Sequence, residues 1–197
     1  MPLSVVHGFP VSIHSLAHAL RNGTLGESWG ATAAERDARY PCDDVLAEPD
    51  QSLWRAVRVD APAPLVWRWV CQLRVAPYSY DWIDNRGRRS PRELIDGLDD
   101  VRVGQRVMTM FEIVHVAPGE SLTISCGHTV FGDELAGTYR VVPLDDDRSR
   151  IVVKLLARYP GGIHGALLRA TLPIGDLVMM RKQLLTLKAL AERDARR

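Results

Sequence analysis

Two histidines and two tyrosines supply the residue types that proton transfer needs. His115 lies in RVMTMFEIVHV and His128 ends LTISCGH, while Tyr80 and Tyr139 stand in YSYDWIDN and GTYRVVPL. An imidazole can accept a proton near neutral pH, and a phenol can donate one or hold a carbonyl by a hydrogen bond. Cyclisation or dehydration of a carbonyl compound requires such a pair, and Asp81 could orient either member. The plainer reading stands beside it: a lone histidine on an apolar strand is more often a core residue bonded to backbone. No spacing among the four fixes their geometry.

The densest local signal is YSYDWIDNRGRRS, residues 78–90, with Tyr78, Tyr80 and Trp82 at alternate positions. Alternate side chains on an extended or turning segment cannot all face one site together with Asp81. Tyr80 and Trp82 are therefore expected to point inward. Asp81 and Asp84 are expected to cap backbone or to pair with Arg86 or Arg88. The stretch reads as a structural corner first, a pocket wall second and a catalytic cluster third.

Other chemistries leave no trace. There is no GxSxG, HExxH, P-loop or GxGxxG pattern, so no nucleophile elbow and no cofactor is expected. His14 and His18 have an i,i+4 spacing, but no carboxylate lies between them and no third ligand is near; they read as surface or packing residues, and no metal is expected. Cys42, Cys71 and Cys126 are widely separated and odd in number, which fits reduced thiols and a cytoplasmic location. A net charge of +1 gives no global attraction for nucleic acid. All basic residues but Lys154, Lys182 and Lys188 are arginines, a skew read as compositional bias and not phosphate recognition. The N-terminus has neither a basic n-region nor a long apolar run, so neither a signal peptide nor stable membrane insertion is expected.

The elements that must position these residues follow from periodicity. Residues 1–50 read as an irregular lead-in with short helices, SIHSLAHALRNG behind Ser12 and a TAAE capping box at Thr32–Glu35. Residues 51–197 read as the regular domain. LWRAVRVD alternates as a strand, and Pro64 opens a helix carrying Val66, Trp69, Val70 and Leu73, with Trp67 or Trp69 as lesser candidates for a ligand wall. SPRE (Ser90–Glu93) has the form of a helix start. A hairpin closed at Pro118-Gly119 would set His115 opposite Leu122, Ile113 opposite Ile124 and Phe111 opposite Cys126. That face would be apolar and would include both histidines, and the Glu112, Val114, Thr123 and Ser125 face would be solvated. GTYRVVPL and RIVVKLLARY form a second hairpin across DDDRS. PGGIHG reads as a loop, and the last helix begins at Gly175 with Asp176 at its N-terminus. Its stripe is Leu177, Met180, Leu184, Leu187 and Ala191.

This order resembles the START-like (SRPBCC) superfamily of polyketide cyclases and dehydratases, pollen-allergen-like proteins and lipid-transfer domains. The resemblance is carried by RVDAPAPLVWRWVCQL, YSYDWIDN, GTYRVVPLDDDRSRIVV and MMRKQLLTLKALAER, and covers roughly Trp54 to Arg193. It implies an α+β helix-grip fold, a curved antiparallel sheet wrapped around a long C-terminal helix with an internal cavity. It also implies that Tyr80, Trp82, Phe111, Tyr139, Met180 and Leu184 line that cavity, with His128 beside them. Three functions follow as expectations: binding of a hydrophobic small molecule (lipid, polyketide or aromatic metabolite), a cyclase- or dehydratase-like reaction using histidine and tyrosine, or a chaperone-partner or stress-response module. The lead-in would pack across the cavity mouth or mediate homodimerisation.

Overall fold

Alternating apolar residues from Gln51 onward build the first long strand, and everything else is laid against it. The computed structural model describes residues 26–127, 129 and 132–197. Its strands are β1 (Ser28–Trp29), β2 (Gln51–Val59), β3 (Arg106–Val107), β4 (Phe111–Ala117), β5 (Ser121–Cys126), β6 (Glu134–Asp145) and β7 (Arg148–Arg158). The helices are α1 (Ala33–Asp37), α2 (Cys42–Val45), α3 (Ala63–Cys71), α4 (Asp81–Asp84) and α5 (Gly162–Ala195). One sheet takes the order β1-β2-β7-β6-β5-β4-β3, antiparallel except for β1 beside β2. With α5 on its inner face, this is an α+β helix grip. None of the described helices is long and apolar enough to cross a membrane.

The inner core joins Ile113, Leu122, Ile124, Val141, Ile151 and Val153 of the sheet to Val66, Trp69, Val70 and Leu73, and to Leu184, Leu187, Leu190 and Ala191 of α5. Each fully buried leucine here contributes about 2 kcal/mol of transfer free energy. Part of the outer face is also dry. Tyr40, Cys42 and Leu46 of the lead-in pack on Ala56, Ala136, Val152 and Leu156. Thr123 is fully buried there, its hydroxyl 2.9 Å from that of Thr138, which accepts the Cys42 N–H at 3.0 Å. Of the face expected to be solvated, Glu112 is exposed and Val114 and Ser125 are half-buried, whereas Thr123 lies buried under the lead-in.

Two ion pairs hold that cover. Lys154 meets Asp43 at 2.5 Å, and Arg150 meets Glu35 at 2.6 Å. Burial works against the Glu35 carboxylate, but bonds from Arg150 and Thr32 outweigh it and hold its pKa below the usual range. The Thr32–Glu35 capping box forms as its sequence requires.

Four expectations are overturned. SPRE forms no helix: Asp81 takes the Ser90 N–H at 3.0 Å and its hydroxyl at 2.5 Å. The buried Gln72 side chain then binds the Ile95 N–H and the Glu93 carbonyl, replacing helical bonds. PGGIHG is not a loop, since α5 begins at Gly162. Gly165 permits this, because a Cβ there would stand 1.7 Å from the Pro160 carbonyl oxygen. Asp176 is therefore mid-helix and not at an N-terminus. Finally, a register shift between Ile113 and His115 sets His115 opposite Thr123 and Val116 opposite Leu122. The irregularity turns His115 out to solvent.

Candidate functional site

Between the sheet and α5, the polar side chains form two centres. The first is neutral. Tyr139, on the inner face of β6, donates its hydroxyl to Gln183 Oε1 at 2.8 Å, with Met180 Sδ 3.6 Å away. Gln183 donates through Nε2 to the Pro77 carbonyl at 2.7 Å and lies 3.4 Å from Met108 Sδ. Both Tyr139 and Gln183 are 3% exposed. Burial raises the Tyr139 pKa, the Asp176 charge adds to it, and the Gln183 bond opposes them. Tyr139 is therefore a neutral donor across the physiological range.

Backbone strain sits beside this centre. Tyr78 follows Pro77 with φ +57°, and Met108 and Thr109 have φ +49° and +70°. Each left-handed, non-glycine residue costs roughly 1 kcal/mol or more. Tyr78 is held by burial and by an edge-on contact with Trp69, ring centroids 6.1 Å apart. The Met108 N–H is held by the Leu73 carbonyl at 3.2 Å.

The second centre is charged. Arg55, 1% exposed, pairs with Asp176 at 2.7 Å. Its guanidinium also donates to the carbonyls of Glu27, Trp54 and Pro173 at 3.0, 2.8 and 3.1 Å. One side chain thus ties lead-in, sheet and helix together. Burial pushes the Asp176 carboxyl up to about 6 against the pull of Arg55. Burial also lowers the Arg55 pKa against the pull of Asp176. Pro173 has no N–H for the helical ladder, and its own carbonyl is one of those that Arg55 binds.

Apolar cover over these centres is uneven. Leu184, Leu187 and Ala191 are fully buried, whereas Leu168, Leu172 and Met180, nearer the start of α5, are half-buried. Half-buried Phe111 packs with Leu168 and Leu172 beside Cys126, Leu135, Ala157 and Tyr159. The grip is tight at one end of α5 and loose at the other.

Of the residues singled out from sequence, Tyr139, Met180, Leu184 and Phe111 meet in the inner core. Trp82 does not point inward; it is 75% exposed, and the aromatic driven inside is Tyr78. Tyr80 is half-buried at the start of α4, where its carbonyl accepts the Ile83 N–H at 2.7 Å. Asp81 caps backbone as expected, while Asp84 bonds Ser79 and not an arginine. His115 is exposed, and His128, His14 and His18 lie outside the described residues. Gln183, Arg55 and Met108 were not singled out, and Asp176 was read only as a charge at a helix N-terminus. Two of them had a signal: Arg55 shares a strand face with Leu53, Val57 and Val59, and Gln183 is a polar residue between Met180 and Leu187.

The thiols offer no nucleophile. All three are buried, and burial pushes Cys71 up to about 12 and Cys126 to about 11. Among the described residues, no three histidine, cysteine or acidic side chains are placed to hold a metal. A groove of about 850 Å³ is lined by Pro64, Trp67 and Arg68 of α3, by Pro118 and Glu120 of the β4–β5 turn, and by Val141 and Val142 of β6.

No family model matches the chain, and no curated protein matches it. Among solved structures, it is similar to the di-domain aromatase/cyclase BexL of the BE-7585A biosynthetic pathway, at 17% identity and TM-score 0.50. The match covers 72% of this chain and 46% of that one, so the chain spans less than half of the di-domain protein. Hypothetical protein jhp0584 from Helicobacter pylori matches at 16% identity and TM-score 0.51, over 82% of this chain and 99% of that one. The Zhui aromatase/cyclase from Streptomyces sp. R1128 matches at 18% and 0.48, over 73% and 94%. The likeness is one of fold, a helix grip.

Proposed function

We propose that this helix-grip chain binds a hydrophobic small molecule carrying a hydrogen-bonding group, at the loose end of the grip. The observation that supports it best is the coincidence of half-buried apolar side chains with a buried neutral hydrogen-bonding pair. Phe111, Leu168, Leu172 and Met180 supply adaptable apolar surface, two of the four on the early turns of α5. The Tyr139 hydroxyl exchanges its bond to Gln183 Oε1 for a carbonyl or hydroxyl on the ligand. Arg55 is committed to Asp176 and three carbonyls, so it is not offered to a carboxylate head group. Ligands are therefore neutral polyketide-like or aromatic compounds in preference to fatty acids.

Native mass spectrometry and thermal shift against matched pairs, such as a naphthol and a naphthoate, test this reading. Binding of the neutral member, weakened about tenfold in Tyr139→Phe, is expected. Failure of every neutral apolar compound to bind would remove the proposal.

Cyclase- or dehydratase-like chemistry is a second reading, favoured by one feature. Asp176 has its carboxyl pKa raised to about 6 in the same interior as Tyr139. A buried acid near neutrality can exchange a proton with a bound carbonyl compound while Tyr139 holds the oxygen. A bell-shaped rate profile whose limb near pH 6 disappears in Asp176→Asn supports it. An unchanged limb in that variant rules it out.

A further inference from the structure

Residues 81–90 form a closed loop on the surface, and Asp81 ties its two ends. The Asp81 carboxylate takes the Ser90 N–H at 3.0 Å and the Ser90 hydroxyl at 2.5 Å, and its carbonyl takes the Gly87 N–H at 2.8 Å. Across the loop, the Asn85 carbonyl accepts the Arg88 N–H at 2.9 Å, and the Asn85 amide donates to the Arg88 carbonyl at 2.6 Å. Arg86 and Gly87 reverse the chain at the tip with φ +52° and +75°. A Cβ added to Gly87 would meet nothing within 4 Å, so the tip stands clear of the fold. A compact loop bonded to itself in this way presents its side chains in fixed positions.

What it presents is apolar and of one charge. Trp82 is 75% exposed and its neighbour Ile83 54%. The other four tryptophans of the chain are half-buried or buried. Both acids of the loop are spent internally, Asp81 on Ser90 and Asp84 on the Ser79 hydroxyl. Arg86, Arg88 and Arg89 are exposed, and none forms an ion pair with a described residue. Elsewhere exposed arginines do find acids, Arg58 at Asp60, Arg102 at Asp100, Arg148 at Asp145 and Arg169 at Asp50. Tryptophan favours the head-group layer of a bilayer, isoleucine gains only by entering an apolar phase, and guanidinium groups bind lipid phosphate. A protein partner of ordinary stability would need about 800 Å² of this surface, more than one short loop supplies. A single-stranded nucleic acid could stack on Trp82 but would leave Ile83 bare.

We propose that the 81–90 loop docks this protein peripherally on a bilayer rich in anionic lipid. Trp82 and Ile83 enter the head-group layer, and Arg86, Arg88 and Arg89 meet the anionic head groups. The contact is independent of what the interior of the grip holds.

Flotation of the full-length chain with phosphatidylcholine vesicles, with and without about 30% phosphatidylserine, tests the proposal. Binding is expected only with the anionic lipid, and weakens as salt is raised. A blue shift of tryptophan emission accompanies it and vanishes in Trp82→Phe. Arg86→Gln, Arg88→Gln and Arg89→Gln together are expected to weaken binding about a hundredfold, at about fivefold for each charge. Trp82→Ala with Ile83→Ala is expected to weaken it about tenfold. All five positions are exposed, so folding is not at risk, and unchanged thermal midpoints check this. No binding to the anionic vesicles would overturn the proposal. Binding that both sets of variants leave unchanged would overturn it too, by placing the contact elsewhere. Loss in the arginine set alone, with no blue shift in the native chain, would reduce the contact to charge attraction and overturn the docking. Quenching of Trp82 by oligouridylate without vesicle binding would overturn it in favour of a single-stranded nucleic acid.

Discussion

The neutral and charged polar centres of the interior lie two turns apart on α5 and solve the same problem in opposite ways. Around Gln183, each bond links neutral groups: Tyr139 donates in, and Gln183 donates out to Pro77. Around Asp176, opposite charges face one another under near-complete burial, and each is pushed toward its neutral form. A satisfied neutral pair positions elements cheaply and ignores pH, whereas a buried ion pair costs desolvation and makes the interior responsive to protons.

The largest effect should come from breaking the charged centre on one side. Arg55→Ala leaves Asp176 without its cation and three carbonyls without their donor, and should cost about 3–5 kcal/mol in chemical denaturation. The double change Arg55→Met with Asp176→Leu should recover much of that loss; no recovery would mean that the carbonyl bonds, not the charge pair, hold the lead-in. Next comes Gln183→Leu, which strands the Pro77 carbonyl and the Tyr139 hydroxyl at about 1–3 kcal/mol each.

The third prediction concerns pH. Asp176 has a folded pKa raised above its usual value of 3.8, so its contribution is fully present below that value and is lost as pH rises through about 6. The stability difference between the native chain and Asp176→Asn should therefore fall between pH 4 and 7. The corresponding difference for Gln183→Leu should stay flat. The smallest effect is expected from Tyr139→Phe, about 1 kcal/mol, because Gln183 retains its bond to Pro77. A larger loss would make Tyr139, not Gln183, the organiser of the neutral centre.

Much of this frame can be read from periodicity. The alternation of β2, the DDDRS hairpin, the Pro64 helix start, the Thr32 capping box and the Leu184–Leu187–Ala191 stripe are local patterns with local causes. The departures have non-local causes. SPRE loses its helix to Asp81 and Gln72, which compete for the same backbone groups from earlier in the chain. His115 leaves the apolar face through a single irregularity in β4. The start of α5 is hidden because two glycines and Pro173 read as breakers, although Gly165 is needed against Pro160. Within the site, Tyr139 and Met180 follow from the family pattern, whereas Arg55–Asp176 joins a strand to a helix far along the chain. An arginine on an apolar strand face signals that a partner exists without saying which.

Pro173 divides α5 into parts with different cooperative fates. Beyond it, Leu184, Leu187 and Ala191 are locked into the main core, so their amides open only when the whole domain does. Before it, the helix has few buried anchors, and one rung of its hydrogen-bond ladder is missing at the junction. The two parts therefore belong to separate unfolding units, and the Arg55 clasp at Pro173 and Asp176 sets how far an opening at the first propagates into the second. Water then reaches the amides of the first part when only the less stable unit opens, with the sheet and the locked end of α5 intact.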